Sequence, residues 1–358
     1  MKELKYLNKY LRKYSLKLFA GVIITIVSRI FSLFAPRLIG DSLTTVDKFL
    51  SENQETLENV KQILLLNILI IIGASILSAF FTFLMRQTII NVSRYIEYDL
   101  KNEIFQHYQY LDQFFYKNNR TGDLMNRISE DVSKVRLYIG PALMYSINTI
   151  TLFIIVIFFM INVAPKLTLY VLIPLPFLSY LIYKLSRIIN LKSTKVQQML
   201  STLSSYTQEV FSGISVIKSF NLKNKININF VSLSNLAQDK NMSLAKVQAW
   251  FFPLMILMIG ISNLMVILIG GNQFINGEIE IGVVAEFIIY VNMLTWPVMA
   301  AGWVSSIVQQ AEASQKRINE FLEKKSEIND GKGVNNKIIG KITFKNVSLI
   351  YPETRFFH

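Results

Sequence analysis

The chain has 358 residues, 52% of them hydrophobic and 17% charged, with a mean hydropathy of +0.37. A soluble domain of this size carries more charge, so apolar runs separated by charged loops predict a polytopic membrane protein. It has no Cys and only two His, which excludes disulfides and thiolate metal sites, and membrane topology accounts for the formal net charge of +13 without a nucleic-acid partner.

Residues 1–17 place Leu4, Leu7, Leu11 and Tyr14 on one helical face, with Lys and Arg on the other. This pattern predicts an amphipathic helix in the headgroup layer. The next apolar run contains Arg29 and Arg37 and no small-residue cleavage site, so it reads as a retained helix rather than a signal peptide. Runs near the ~20 residues that a bilayer core demands lie at 18–40, 61–86, 138–163, 167–189, 247–274 and 281–308. They predict an all-α membrane domain of six transmembrane helices over 18–323.

The connections predict the orientation. Segment 41–59 holds Asp41, Asp47, Glu52, Glu55 and Glu58 against Lys48 alone, and the turn at 275–280 holds Glu278 and Glu280 without a basic residue. By contrast, 86–136 contains eight Lys/Arg and 184–246 contains nine. Lys and Arg stay on the cytoplasmic side, which predicts that both termini and the two long loops are inside. Those loops are helical in pattern, with Ile96, Leu100, Ile104 and Tyr108 at spacings of four. About 30 extra helical residues would carry a stalk roughly 45 Å past the last apolar turn.

Beyond Glu323 the composition changes. Residues 324–340 are polar and rich in Gly and Asn and read as a linker. Ile342–Tyr351 reads as the first strand of a soluble domain over 341–358, which the chain leaves too short to bury a core.

Four stretches make the architecture specific. Asn119-Arg-Thr-Gly-Asp-Leu-Met-Asn-Arg-Ile-Ser-Glu-Asp131 resembles the first intracellular loop of ABC exporters, and Gly213-Ile-Ser-Val-Ile-Lys-Ser-Phe220 resembles the second. Ala311-Glu-Ala-Ser-Gln-Lys-Arg-Ile-Asn-Glu320 is similar to the end of their sixth helix, and Ile342–Pro352 to the first strand of their ATP-binding domain. The resemblance implies a half-transporter of the multidrug or lipid exporter type in the bacterial inner membrane. A second subunit, identical or not, would complete it, with helices four and five crossing to the partner.

It further implies that Gly122, Asp123, Arg127, Asp131, Gly213 and Lys218 belong to coupling loops. Gly122 and Gly213 would permit sharp turns, each followed by a short transverse helix. Asp123, Arg127 and Asp131 lie at i, i+4 and i+8 and are placed to pair along one helix face. Tyr351 matches the aromatic residue that stacks on adenine. The sequence departs from the family where ATP and Mg would be held. No G-x-x-x-x-G-K-[ST] occurs, and Gly331-Lys332-Gly333 lacks the upstream Gly and the preceding strand. The signature loop, the magnesium carboxylate and the catalytic Glu are missing too, so no catalytic residue, bound cofactor or ATPase activity is expected of this chain.

Within the membrane, Arg29 sits midway along the first helix, where a charge costs at least ~2.5–3.5 kcal/mol on insertion scales. With Arg86 it is a candidate contact for an anionic amphiphile, a structural pairing being the alternative. Met258, Met293 and Trp296 belong to a Met-rich and aromatic surface suited to hydrophobic ligands and lipid. Pro253 and Pro297 are candidate kinks, and Glu286 is read as interfacial. The leading expectation is export of a hydrophobic or amphiphilic substrate by alternating access. A non-transporting or non-functional fragment of the fold stays open. An importer permease is disfavoured, because Glu312-Ala313-Ser314 has no Gly at the spacing of the E-A-A-x-x-x-G loop.

Overall fold

The computed structural model describes residues 3–52, 56–326, 328, 340 and 342–348. A 3-10 turn (Glu3–Leu7) leads into α1 (Asn8–Lys13), α2 (Ser15–Ser32) and α3 (Phe34–Glu52), the last two nearly continuous through Leu33. The helix therefore runs on through much of the acidic stretch that the sequence assigns to a connection. Next comes α4 (Leu57–Tyr110), 54 residues or about 80 Å long. Its start is capped by the Thr56 hydroxyl, which accepts from the Asn59 N–H. Antiparallel packing of α2 on α4 brings Gly21 against Ile89. Further along, Ser28 bonds the Ser78 carbonyl at 3.1 Å and the Thr82 hydroxyl at 2.9 Å. Such hydrogen bonds matter because apolar side chains gain little by leaving lipid for a neighbouring helix.

The second half begins with α5 (Gln113–Asn118) and α6 (Thr121–Asn126). A π segment (Arg127–Asp131), α7 (Val132–Leu137), a second π segment around Pro141 (Tyr138–Ala142) and α8 (Leu143–Val163) come next. Pro165 opens α9 (Pro165–Leu172) and Pro174 opens α10 (Pro174–Ser212), each at a position where the missing N–H is harmless. A short α11 (Ile214–Ser219) turns the chain into α12 (Lys223–Gln248) and α13 (Phe251–Met265). A π segment (Val266–Gly270), α14 (Gly271–Ile275) and α15 (Ile281–Leu322) complete the order.

Among the described residues five helical stretches are long and apolar enough to cross a membrane: Ser15–Ser51, Leu57–Tyr110, Thr121–Val163, Lys223–Ile275 and Ile281–Leu322. The fourth run expected at 167–189 is the broken pair α9 and α10, where Pro174 and Pro176 withdraw backbone donors at the junction. Pro253 lies in the first turn of α13, while Pro297 is accommodated inside an unbroken α15.

Two apolar clusters hold the helices together. At the loop end, Leu4, Leu7, Ile96, Leu100, Ile104, Val132, Ile318 and Phe321 are buried together. These α4 residues lie beyond its apolar run, where burial from water stabilises each large side chain by about 1.5–3 kcal/mol. At the opposite end, Val156, Met160, Leu167, Val266, Phe287, Tyr290 and Leu294 form the second cluster. There α3 and α15 touch backbone to backbone, because a Cβ on Gly282 would stand 2.0 Å from the Gly40 carbonyl oxygen.

Two expectations are corrected. The Leu4–Leu7 face is turned to protein, packed on α4 and α15, rather than to a headgroup layer. Glu286 is buried rather than interfacial and accepts from the Tyr290 hydroxyl at 2.6 Å. Of the strand expected at Ile342–Tyr351, residues 342–348 are described and carry exposed Ile342, Phe344 and Val347, and residues 349–351 lie outside the described residues.

Candidate functional site

The residues implied as coupling positions lie at the ends of two separate helix pairs. In the first loop, α4 ends at Tyr110 and Leu111 is extended. The Asp112 carboxylate caps α5 by accepting from the Phe115 N–H at 2.9 Å. The short helix therefore precedes Gly122 rather than following it. Gly122 itself lies in the first turn of α6 with nothing within 4 Å of its Cβ position, so no sharp turn depends on it.

Asp123 and Arg127 pair along α6, with Arg127 Nη2 donating to Asp123 Oδ2 at 2.8 Å and Nε at 3.2 Å. Asp131 does not join them. The π segment Arg127–Asp131 adds a residue to the turn, rotating the downstream helix by roughly 100° against an unbroken α-helix. The Asp131 side chain, 2% exposed, thereby meets α15 and accepts from Arg317 Nη2. Arg127 reaches the same helix differently, its guanidinium lying 5.5 Å from the centre of the Phe321 ring.

Phe321, fully buried, is the hub that sequence reasoning missed. His107, Tyr108 and Phe115 surround its ring with centroids at 4.9, 4.7 and 6.0 Å. The available signal was its position three residues after Ile318 on the apolar face of α15. The N-terminal segment closes this junction. The Asn319 amide donates to the Glu3 carbonyl at 3.2 Å and to its carboxylate at 2.9 Å. Tyr6, Lys9 and Tyr10 all donate to Glu103 on α4, and Lys13 and Tyr14 donate to Asp99 at 2.7 and 3.0 Å. Burial, then the bond to Glu103, pushes the Tyr6 and Tyr10 hydroxyls above the usual tyrosine range, so they stay protonated as donors.

The second loop keeps the expected order. Gly213 ends α10, and α11 begins at the next residue. Its φ of −96° needs no glycine, and the left-handed residue of this loop is Asn221, with φ 50°. Lys218 is exposed, α11 has no buried residue, and the tip presents Phe211, Val216 and Phe220 at 69, 52 and 73% exposure.

The candidate substrate residues do not converge. Arg29 Nε donates to the Asn148 side-chain oxygen on α8 at 2.6 Å, a pairing with a neutral amide, while Arg86 is exposed. Met258 is buried with Met255 against Phe251 and Ile182, Met293 is half-buried on the Phe287–Tyr290 cluster, and Trp296 is exposed. Tyr351 lies outside the described residues.

A family model described as ABC transporter transmembrane region matches residues 18–298. Over 98% of its length the chain is 30% identical to the multidrug resistance-like ATP-binding protein MdlA of Buchnera aphidicola subsp. Baizongia pistaciae, covering 57% of that protein. The MdlA protein of Escherichia coli is 25% identical over 97% of the chain and 58% of its own length. The ATP-dependent lipid A-core flippase of Pseudomonas syringae is 25% identical over 91% of the chain and 55% of its own length. The chain thus spans somewhat more than half of each of these relatives.

Proposed function

Because this chain belongs to the family of ABC transporter transmembrane regions, we propose that it is the membrane subunit of an ATP-driven exporter for hydrophobic or amphiphilic molecules. Two such subunits, identical or not, form the pathway, with α9–α13 packing against the partner and both termini and both loops in the cytoplasm of a bacterial inner-membrane system. The names of the relatives support the substrate class, since they include multidrug resistance-like proteins and a lipid A-core flippase. The Lys/Arg excess of the two long loops supports the orientation.

The observation that carries the reading is the junction of the first loop with the end of α15. Asp131 and Arg127 each engage α15, through Arg317 and Phe321, so a push on α5 and α6 is delivered to the last membrane helix. ATP-binding domains docking on α5 and on the exposed tip at α11 would move two helix pairs at once. That is the rigid-body step which alternating access requires. Asp123, Arg127, Asp131, Gly213 and Lys218 act here as coupling residues. ATP and Mg bind to the attached ATP-binding domains and supply the free energy, and Tyr351 would contribute its ring to adenine in that assembly.

The test is reconstitution in proteoliposomes with ATP-binding domains fused after residue 358. ATP-dependent movement of a lipophilic cation or a fluorescent lipid supports the reading, and ATP hydrolysis without movement of either overturns it. Single cysteines placed at Ser51 and at Lys218 in this cysteine-free chain test the orientation. Labelling of Ser51→Cys from the cytoplasmic side would reverse it.

A further inference from the structure

We propose that Tyr108, in the last turn of α4, is the positioning residue that makes α5, α6 and the end of α15 move as one body. The final carbonyls of a helix find no N–H donor within it. The Tyr108 carbonyl is one of these, since α4 ends at Tyr110 and Leu111 is already extended. The Tyr116 hydroxyl of α5 donates to it, which folds α5 back along the end of α4. That bond matters because α5 has no buried residue. A short helix without a buried face is held by polar and ring contacts instead.

The side chain of the same residue holds the other two helices. Its hydroxyl donates to the carbonyl of Leu124, the buried residue of α6. Its ring lies 4.7 Å from that of Phe321 on α15. Burial pushes the hydroxyl up to about 12, against the lowering pull of the Arg127 guanidinium, so it stays protonated as a donor. Carbonyl, hydroxyl and ring thus serve α5, α6 and α15 in turn.

The consequence for transport rests on the exporter reading proposed above. Asp131 and Arg127 tie the π segment to α15, whereas Tyr108 is where α5 and α6 are both fixed to α4. A push on α5 that lets it slide past α6 is spent as local motion. The same push on a body held through Tyr108 reaches α15 as a rigid shift. Tyr108 therefore sets how much transport each ATP hydrolysed yields.

Paired spin labels in this cysteine-free chain test the positioning directly. Lys117→Cys on α5 and Asn126→Cys on α6 are each paired with Lys316→Cys on α15, all at exposed positions, and measured by double electron–electron resonance in the detergent-purified chain. Tyr116→Phe is expected to broaden the α5 distances and Tyr108→Phe the α6 distances. p-Aminophenylalanine in place of Tyr108 restores a donor and should narrow the α6 distances again. Tyr98→Phe, which removes an exposed hydroxyl from the same helix, should change neither. In the fused, reconstituted protein Tyr108→Phe and Tyr116→Phe should each lower transport per ATP hydrolysed about three- to fivefold, with the amino analogue restoring the ratio at 108. A merely stabilising tyrosine would lower the yield of folded protein and leave that ratio unchanged. Distances unmoved by both Phe variants, or an unmoved ratio in a fusion that transports, overturn the proposal. A wild-type fusion that hydrolyses ATP without transport overturns the exporter reading instead, and the distances still decide whether Tyr108 positions the loop.

Discussion

Asp131 and Arg317 lie 186 positions apart and form one ion pair, the carboxylate 2% exposed and the guanidinium half exposed. The final acid of the first-loop motif and the arginine of the sixth-helix motif are therefore two halves of a single contact. Removing one half strands the other. Arg317→Ala is expected to destabilise the chain by about 2–3 kcal/mol, toward the low end for a broken buried pair because water reaches the arginine side. Asp131→Asn should do less, since the amide can still accept a hydrogen bond. In thermal unfolding, a double-mutant cycle should give a coupling of at least about 0.5 kcal/mol, whereas additive single effects would mean that the contact carries no stability.

The close approach of α3 and α15 makes a steric prediction. Gly282→Ala places a methyl 2.0 Å from the Gly40 carbonyl oxygen and 2.5 Å from Thr44 Oγ1, so the helices must separate. A loss of about 1–3 kcal/mol is expected, with Val worse than Ala. Gly260→Ala in α13, with nothing within 4 Å, should be neutral or stabilising by up to about 1 kcal/mol. Equal melting points for the two Ala variants would contradict the packing.

Arg29 and Asn148 differ in what they leave behind. Asn148→Leu leaves a guanidinium in the membrane without its 2.6 Å acceptor and should destabilise by about 1.5–3 kcal/mol. Arg29→Leu removes the charge and leaves only an amide, so its effect should be smaller. The reverse order in thermal unfolding would show that Arg29 draws its stability from another group.

The N-terminal clamp has an alkaline limit. Tyr6 and Tyr10 have hydroxyl pKa values raised on folding, by burial and then by the bond to Glu103. Their contribution is fully present below the unfolded tyrosine value of about 10 and is lost as pH rises through the folded values. Stability assigned to these bonds should stay flat from neutral pH to about 10 and fall above it. Glu103→Gln should speed amide exchange across residues 3–14 and lower the pH at which tyrosinate absorbance appears. Unchanged exchange and titration would remove the clamp.

The tip at α11 separates folding from coupling. With no buried residue in Ile214–Ser219, Val216→Asp should leave the melting point within about 0.5 kcal/mol of wild type. In the fused, reconstituted protein it should lower transport per ATP hydrolysed several-fold. A change in stability without a change in that ratio would make the tip structural.

The membrane character, the helical stalks and the family resemblance were legible in the sequence because each is written in local order. Bilayer thickness imposes run lengths, helical periodicity imposes spacing, and the two loop motifs are contiguous stretches. The first-loop chemistry was legible only in part. Spacing placed Asp123, Arg127 and Asp131 on one face, but the π segment at Arg127–Asp131 broke that register. Gly122 and Gly213 read as turn residues, yet neither holds a left-handed conformation, and Asn221 does.

By itself the sequence determined that the chain is a helical membrane protein, and the residues from which its family is recognised. Only the tertiary structure decided which groups meet: Asp131 with Arg317, Arg29 with Asn148, Glu286 with Tyr290, and the N-terminal tyrosines with Glu103. Apolar length and periodicity are properties of a segment and survive in one dimension. A polar contact between helices depends on azimuth and axial register, which a single added residue in a turn shifts by roughly 100° and which packing alone resolves.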